Sequence, residues 1–280
     1  MQRSSAWRLV LVLAILLPAA SAHAFVCLQI AGHCTHWVQG GATLRSFLGN
    51  PGSPLINGTF SWDQNAVNAA NDWNAAGAAF HFNVNVGGTF TSPCGAAGPS
   101  HACPNTGPVG DNPVFFSDSF CGQGFGDIIE LTNNCADSNT GAMLNAPVFV
   151  NSQVSWNAYD GPIRVGSNNQ VIHEIRRVLV HEFGHVLGLD HPDENGQAVF
   201  AIMNSRESNI DRLQQDDING LFSLYPNGGS PGGSGSSGAP AQNTGCHLAA
   251  RGERLNAWSI VLLLVPTALL RIRRRRPRAS

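Results

Sequence analysis

Three histidines and a glutamate fall within eleven residues of each other: His181-Glu182-Phe183-Gly184-His185-Val186-Leu187-Gly188-Leu189-Asp190-His191. Ile172, Ile175, Val178, Leu179, Val186 and Leu187 recur at the spacing of an apolar helical face, so the sequence predicts one helix carrying both His181 and His185. Side chains four apart share a side of a helix, with Cβ atoms about 5–6 Å apart, and two imidazoles so placed can share one Zn2+. Glu182 follows the first of them and leans toward the open side of such an ion without binding it. Gly188 can take the left-handed conformation that ends a helix, turning the chain so that His191 returns as a third ligand. Three neutral imidazoles leave a fourth position for water, which is the arrangement of a catalytic rather than a closed structural site. His173, eight residues before His181, has no partner motif and reads as a surface or packing residue.

The elements that must hold this helix are a mixture. Residues 61–76 predict an Ala-rich helix with Trp62, Val67, Ala70 and Trp73 toward the core; Ser61 can cap it, and Asp63 favours its N-terminus. Residues 80–86 alternate apolar and polar as a half-buried strand does, 43–48, 127–131 and 147–150 are further strand candidates, and 87–125 reads mostly as loop. The expected class is α+β, with one domain over 25–226.

The pattern HExxHxxGxxH, filled here by His181, Glu182, His185, Gly188 and His191, resembles the metzincin metalloproteases. Met203, in Ala201-Ile202-Met203-Asn204 and 12 residues after His191, resembles the Met-containing turn beneath the metzincin zinc site. Residues 213–225, Leu-Gln-Gln-Asp-Asp-Ile-Asn-Gly-Leu-Phe-Ser-Leu-Tyr, are similar to the C-terminal helix of the matrixin branch, LSQDDINGIQxLY. The resemblance spans roughly 43–226, and points to bacterial secreted matrixin-like peptidases. It implies a metzincin-like zinc peptidase domain with a twisted mixed sheet, an active-site helix and a C-terminal helix. It also implies one catalytic Zn2+ on His181, His185 and His191, with Glu182 as general base in the hydrolysis of internal peptide bonds of proteins.

Departures from that family bound the expectation. No PRCGxPD cysteine switch precedes the segment, so the matrixin inhibition mechanism is not implied, and no HxDxxxFDG loop is present, so calcium or a second structural zinc is not supported. No Tyr follows Met203 at two residues, so an extra tyrosine ligand is not supported either. A substrate peptide is expected to add to a sheet edge, with 147–150 as the candidate strand. Two other readings compete. A non-catalytic zinc-containing surface binding or adhesion protein would not need Glu182, and an exopeptidase would need a basic cluster in 25–226 to bind a substrate's carboxylate tail.

Charge separates the chain into parts. The formal net charge is −2, yet all 16 basic residues are Arg, and 25–245 holds 6 of them against 17 acids, a balance of −11. That balance excludes nucleic acid as a partner, because phosphate binding needs clustered cations. Residues 1–24 carry Arg3 and Arg8, an apolar run over 9–17 and small residues at 21–24, the layout of a secretory signal peptide. Residues 227–245, rich in Gly, Ser and Pro, read as a linker. Residues 246–280 begin at Cys246, continue through an apolar stretch over 257–270 and end in an Arg cluster, so they read as a hydrophobic anchor or sorting tail that would touch the membrane. This tail resembles the MYXO-CTERM type, with Cys246 as the processing candidate. The expected location is outside the cell or on its outer face, with release after processing near Cys246 as an option.

Six further cysteines, Cys27, Cys34, Cys94, Cys103, Cys121 and Cys135, predict disulfides in an oxidising compartment. Fifteen pairings are open, and sequence proximity favours 27–34, 94–103 and 121–135. Asn57-Gly58-Thr59 fits a glycosylation sequon, which a bacterial source would leave idle.

Overall fold

The computed structural model describes residues 25–94, 110, 112–227 and 244–252. The leader 1–24, Cys103, residues 228–243 of the linker, the apolar stretch 257–270 and the Arg cluster after it lie outside the described residues.

The chain opens with short strands β1 (Val26–Cys27), β2 (Gln29–Ile30) and β3 (His33–Cys34), tied by a Cys27–Cys34 disulfide. Strand β4 (Gly41–Ser46) turns Ala42, Leu44 and Ser46 inward in strict alternation. Helix α1 (Trp62–Asn74) starts at Ser61, whose hydroxyl accepts the Gln64 N–H at 3.2 Å. Asp63 does more than favour that terminus. It is buried and accepts from Ser46 Oγ at 2.5 Å, Leu48 N at 3.0 Å and Gly49 N at 3.1 Å, fastening α1 to the end of β4.

Five strands follow: β5 (His81–Val86), β6 (Asn112–Ser117), β7 (Ile128–Asp137), β8 (Met143–Asn145) and β9 (Val148–Asn151). Next come β10 (Ser155–Asn157), β11 (Arg164–Val165) and β12 (Val171–Glu174), which leads directly into helix α2 (Ile175–Leu187). The last elements are β13 (Leu189–Asp190), helix α3 (Gln215–Leu224) and β14 (Thr244–Gly252). The architecture is α+β, with a mixed seven-stranded sheet in the order β14-β7-β9-β6-β4-β5 and β8 paired to β7. Within it β5, β4, β6 and β9 run parallel, whereas β7 is antiparallel to both β9 and β14.

Leu44, Trp73, Phe82, Leu179, Phe183 and Leu187 are buried between the sheet and the helices, each contributing about 1.5–3 kcal/mol. Trp73 Nε1 donates to Val180 O at 2.8 Å, so even its polar atom is satisfied as α1 packs on α2. A second cluster of Phe115, Phe125, Leu131 and Phe149 has Cys94 and Cys121 packed against it.

Several sequence expectations change here. Strand β6 lies inside 87–125, where a loop is expected: Asn112-Pro113 opens it in a turn-rich stretch, and its first four residues are all buried, so no alternation marks it. Helix α2 begins at Ile175, which leaves Ile172 and His173 in β12 rather than on the helix. Strand β9 is no edge; flanked by β6 and β7, it is buried at all four residues. Cys94 pairs with Cys121, replacing the expected 94–103 and 121–135 bridges, because both residues pack on the same aromatic cluster despite a separation of 27 residues. Thr244–Gly252, expected as the end of the linker and the start of the tail, is a strand of the main sheet. Among the described residues no helix is long and apolar enough to cross a membrane.

Candidate metal centre

Helix α2 is capped by Glu174, whose carboxylate accepts the N–H of Arg176 at 3.1 Å and of Arg177 at 2.7 Å. Burial pushes this carboxyl up to about 7, although both hydrogen bonds pull the other way. The helix ends at Gly188, with φ 108° and ψ 17°. A Cβ there would meet Thr35 O at 2.2 Å, so both the backbone conformation and the close approach call for glycine. The turn delivers the chain into β13, which pairs with β1 and brings His191 back over the helix.

The three imidazoles converge. His181 Nε2 lies 3.0 Å from His185 Nε2 and 3.2 Å from His191 Nε2, and the remaining pair is 3.0 Å apart. All three are buried, and each turns its other ring nitrogen to an acceptor of the protein: His181 Nδ1 to Ile202 O at 2.7 Å, His185 Nδ1 to Leu189 O at 2.8 Å, and His191 Nδ1 to Glu194 Oε2 at 3.2 Å. Those acceptors take a proton on Nδ1 and leave Nε2 as the lone-pair side. Three Nε2 atoms so close to one another fit a cation held at about 2.0–2.1 Å, the Zn–N distance.

Glu182 is fully buried beside the triad, and its Oε2 accepts the Thr132 hydroxyl at 2.6 Å. Two residues along β7, Asn134 Nδ2 donates to His185 O at 2.8 Å. Beneath the helix, Met203 packs so tightly against Gly184 that a Cβ at 184 would stand 2.2 Å from Met203 Sδ. The turn bearing Met203 hangs from Asp217 on α3, whose carboxylate accepts Ile202 N at 3.0 Å, Met203 N at 3.2 Å and Gln214 N at 2.7 Å. Burial raises this carboxyl to about 6. Tyr225 closes the far side, donating its hydroxyl to Leu187 O at 2.7 Å.

Residues 111–226 match the family model for matrixin. This segment is matrixin-like. Over 99 residues the chain is 30% identical to metalloendoproteinase 5-MMP of Arabidopsis thaliana, covering 35% of this chain and 27% of that protein. Matrix metalloproteinase-18 of Xenopus laevis is 35% identical over 60 residues, covering 21% and 13%. Matrix metalloproteinase-27 of Homo sapiens is 44% identical over 54 residues, covering 19% and 10%. The chain thus spans about a quarter or less of the length of these relatives. The matrixin-like segment takes in β6 through α3 and with them every residue of the centre.

The structure places His181, Glu182, His185, Gly188, His191 and Met203 in one neighbourhood. His173 stands apart: it is buried, and its Nδ1 lies 2.6 Å from Glu207 Oε2. Thr132, Asn134, Gly184, Glu194 and Asp217 escape the sequence reading. Gly184 and Asp217 lie inside quoted motifs without a function of their own there, and Thr132 and Asn134 are two polar residues of an unremarkable strand.

Proposed function

We propose that the chain is an exported zinc-dependent endopeptidase that hydrolyses internal peptide bonds. One observation carries this reading: three buried Nε2 atoms converge within 3.2 Å while a buried carboxylate that is not one of their number, Glu182, is held beside them by Thr132. His181, His185 and His191 would hold the ion, with Ile202 O, Leu189 O and Glu194 fixing the ring orientations. A bound Zn2+ supplies Lewis acidity, lowering the pKa of water toward about 7 and stabilising charge on a carbonyl oxygen. Glu182 takes the proton from the attacking water and returns it to the leaving amine nitrogen. Met203 and Gly184 keep the floor of the centre dense, and Asp217 keeps the turn beneath it in place. The peptide would lie along β7, the strand that reaches both Glu182 and the His185 carbonyl, rather than along β9. Export accords with the Cys27–Cys34 and Cys94–Cys121 disulfides, which persist in oxidising compartments.

A peptide-library digest with and without a zinc chelator tests the reading. Internal cuts abolished by the chelator are expected; trimming from the ends would indicate an exopeptidase, and no cleavage by zinc-loaded protein would indicate a binding protein. Glu182→Gln should keep one zinc per chain and lose about 10²–10⁴-fold in turnover, and a variant that kept most of its activity would remove Glu182 from its role.

A further inference from the structure

Strand β7 is also paired along its outer edge. Its outer side is filled by β14, antiparallel and in continuous register from Thr244 opposite Asp137 to Arg251 opposite Glu130, with a shift only before Gly252. In that register Cys246 stands opposite Cys135 and Arg251 opposite Glu130.

The strand whose edge β14 occupies is the one that reaches the candidate metal centre. Thr132 and Asn134, two apart and therefore on one face of β7, reach Glu182 and the His185 carbonyl. Ala249 and His247 stand opposite these two residues in the ladder, and β14 itself adjoins α2. An extended peptide that adds to β7 needs the same outward N–H and C=O groups that β14 already uses, and one strand edge pairs with one strand at a time.

We propose that β14 is a built-in occupant of the peptide-binding edge of β7, so that residues 244–252 restrain the centre until they are displaced. The proposal rests on the endopeptidase reading for the identity of that edge. Because the segment belongs to the same chain, a competing peptide faces it at an effective concentration of about millimolar order.

The test uses the full chain loaded with zinc. The double variant Leu248→Pro, Ala249→Pro removes two adjacent N–H groups, one of which must point into the ladder whatever the parity. For an internally quenched peptide KM should fall about tenfold or more with kcat little changed. Amide exchange over 128–137 should accelerate, and a synthetic 244–252 peptide should inhibit the variant competitively while barely affecting the parent chain. Unchanged KM together with unchanged exchange in β7 would overturn the proposal. Arg251→Glu, which sets like charges opposite each other, supplies the same readouts should the proline variant fail to fold. Absence of cleavage by both parent and variant, with zinc bound, would instead count against the endopeptidase reading, and the exchange data would still decide whether β14 covers β7.

Discussion

Thr132 donates its hydroxyl to Glu182 Oε2 at 2.6 Å, joining β7 to the helix that carries two histidines of the candidate metal centre. A hydrogen bond to a charged group contributes about 1.5–3 kcal/mol, so Thr132→Val should lower kcat/KM about 10- to 100-fold with zinc content unchanged. Thr132→Ser keeps the hydroxyl and should recover most of the loss. Steady-state kinetics beside metal analysis checks this, and equal kcat/KM in the Val variant and the parent would refute it.

Gly184 leaves no room for a side chain above Met203. Gly184→Ala should cost about 1–3 kcal/mol by overpacking, or about 2–12 °C in Tm for a domain of this size. Adding Met203→Ala removes the clashing sulfur and should return part of the loss. Thermal unfolding of the single and double variants measures it; additive losses would place the strain elsewhere.

Burial holds Glu174 at about 7 and Asp217 at about 6, above the values of about 4 that such carboxyls have in an unfolded chain. The native state therefore binds these protons more tightly than the unfolded state. Their contribution is fully present at low pH and is lost as pH rises through the folded values, between about pH 4 and 7. Glu174→Gln removes one of the two titrations, so the Tm of the parent relative to this variant should decline between pH 5 and 7.5. A difference that stays constant across that range would contradict the assignment.

Chelation should abolish activity without dissolving helix α2, since each histidine retains an acceptor on Nδ1 and the helix keeps its Glu174 and Gly188 ends. At free zinc about 100-fold above Kd the ion adds about 2.7 kcal/mol, so its removal should lower Tm by about 5–11 °C with far-UV dichroism preserved below the transition. Zinc should restore both readouts. Loss of helical signal on chelation at room temperature would mean instead that the ion is required for folding.

What the sequence determined by itself is local. A helix of 3.6 residues per turn puts His181 and His185 on one side, and Gly188 is the residue that tolerates φ 108° where the helix must end, so spacing alone predicts the convergence of His181, His185 and His191. The Ser61 cap and the alternation in β5 are equally short-range. Tertiary structure decided what depends on distant partners. Strand β6 shows no period because it is buried on both faces, and β9 could not be told from an edge strand until β7 was seen outside it. The Cys94–Cys121 bridge crosses 27 residues to reach a shared aromatic cluster. Thr132 became a partner of Glu182, and Asp217 the support of the Met203 turn, through contacts 50 and 14 residues apart along the chain. Helix geometry is written in neighbouring residues, whereas strand order and edge occupancy follow from which surfaces meet after the chain has folded, and no window of sequence holds both surfaces.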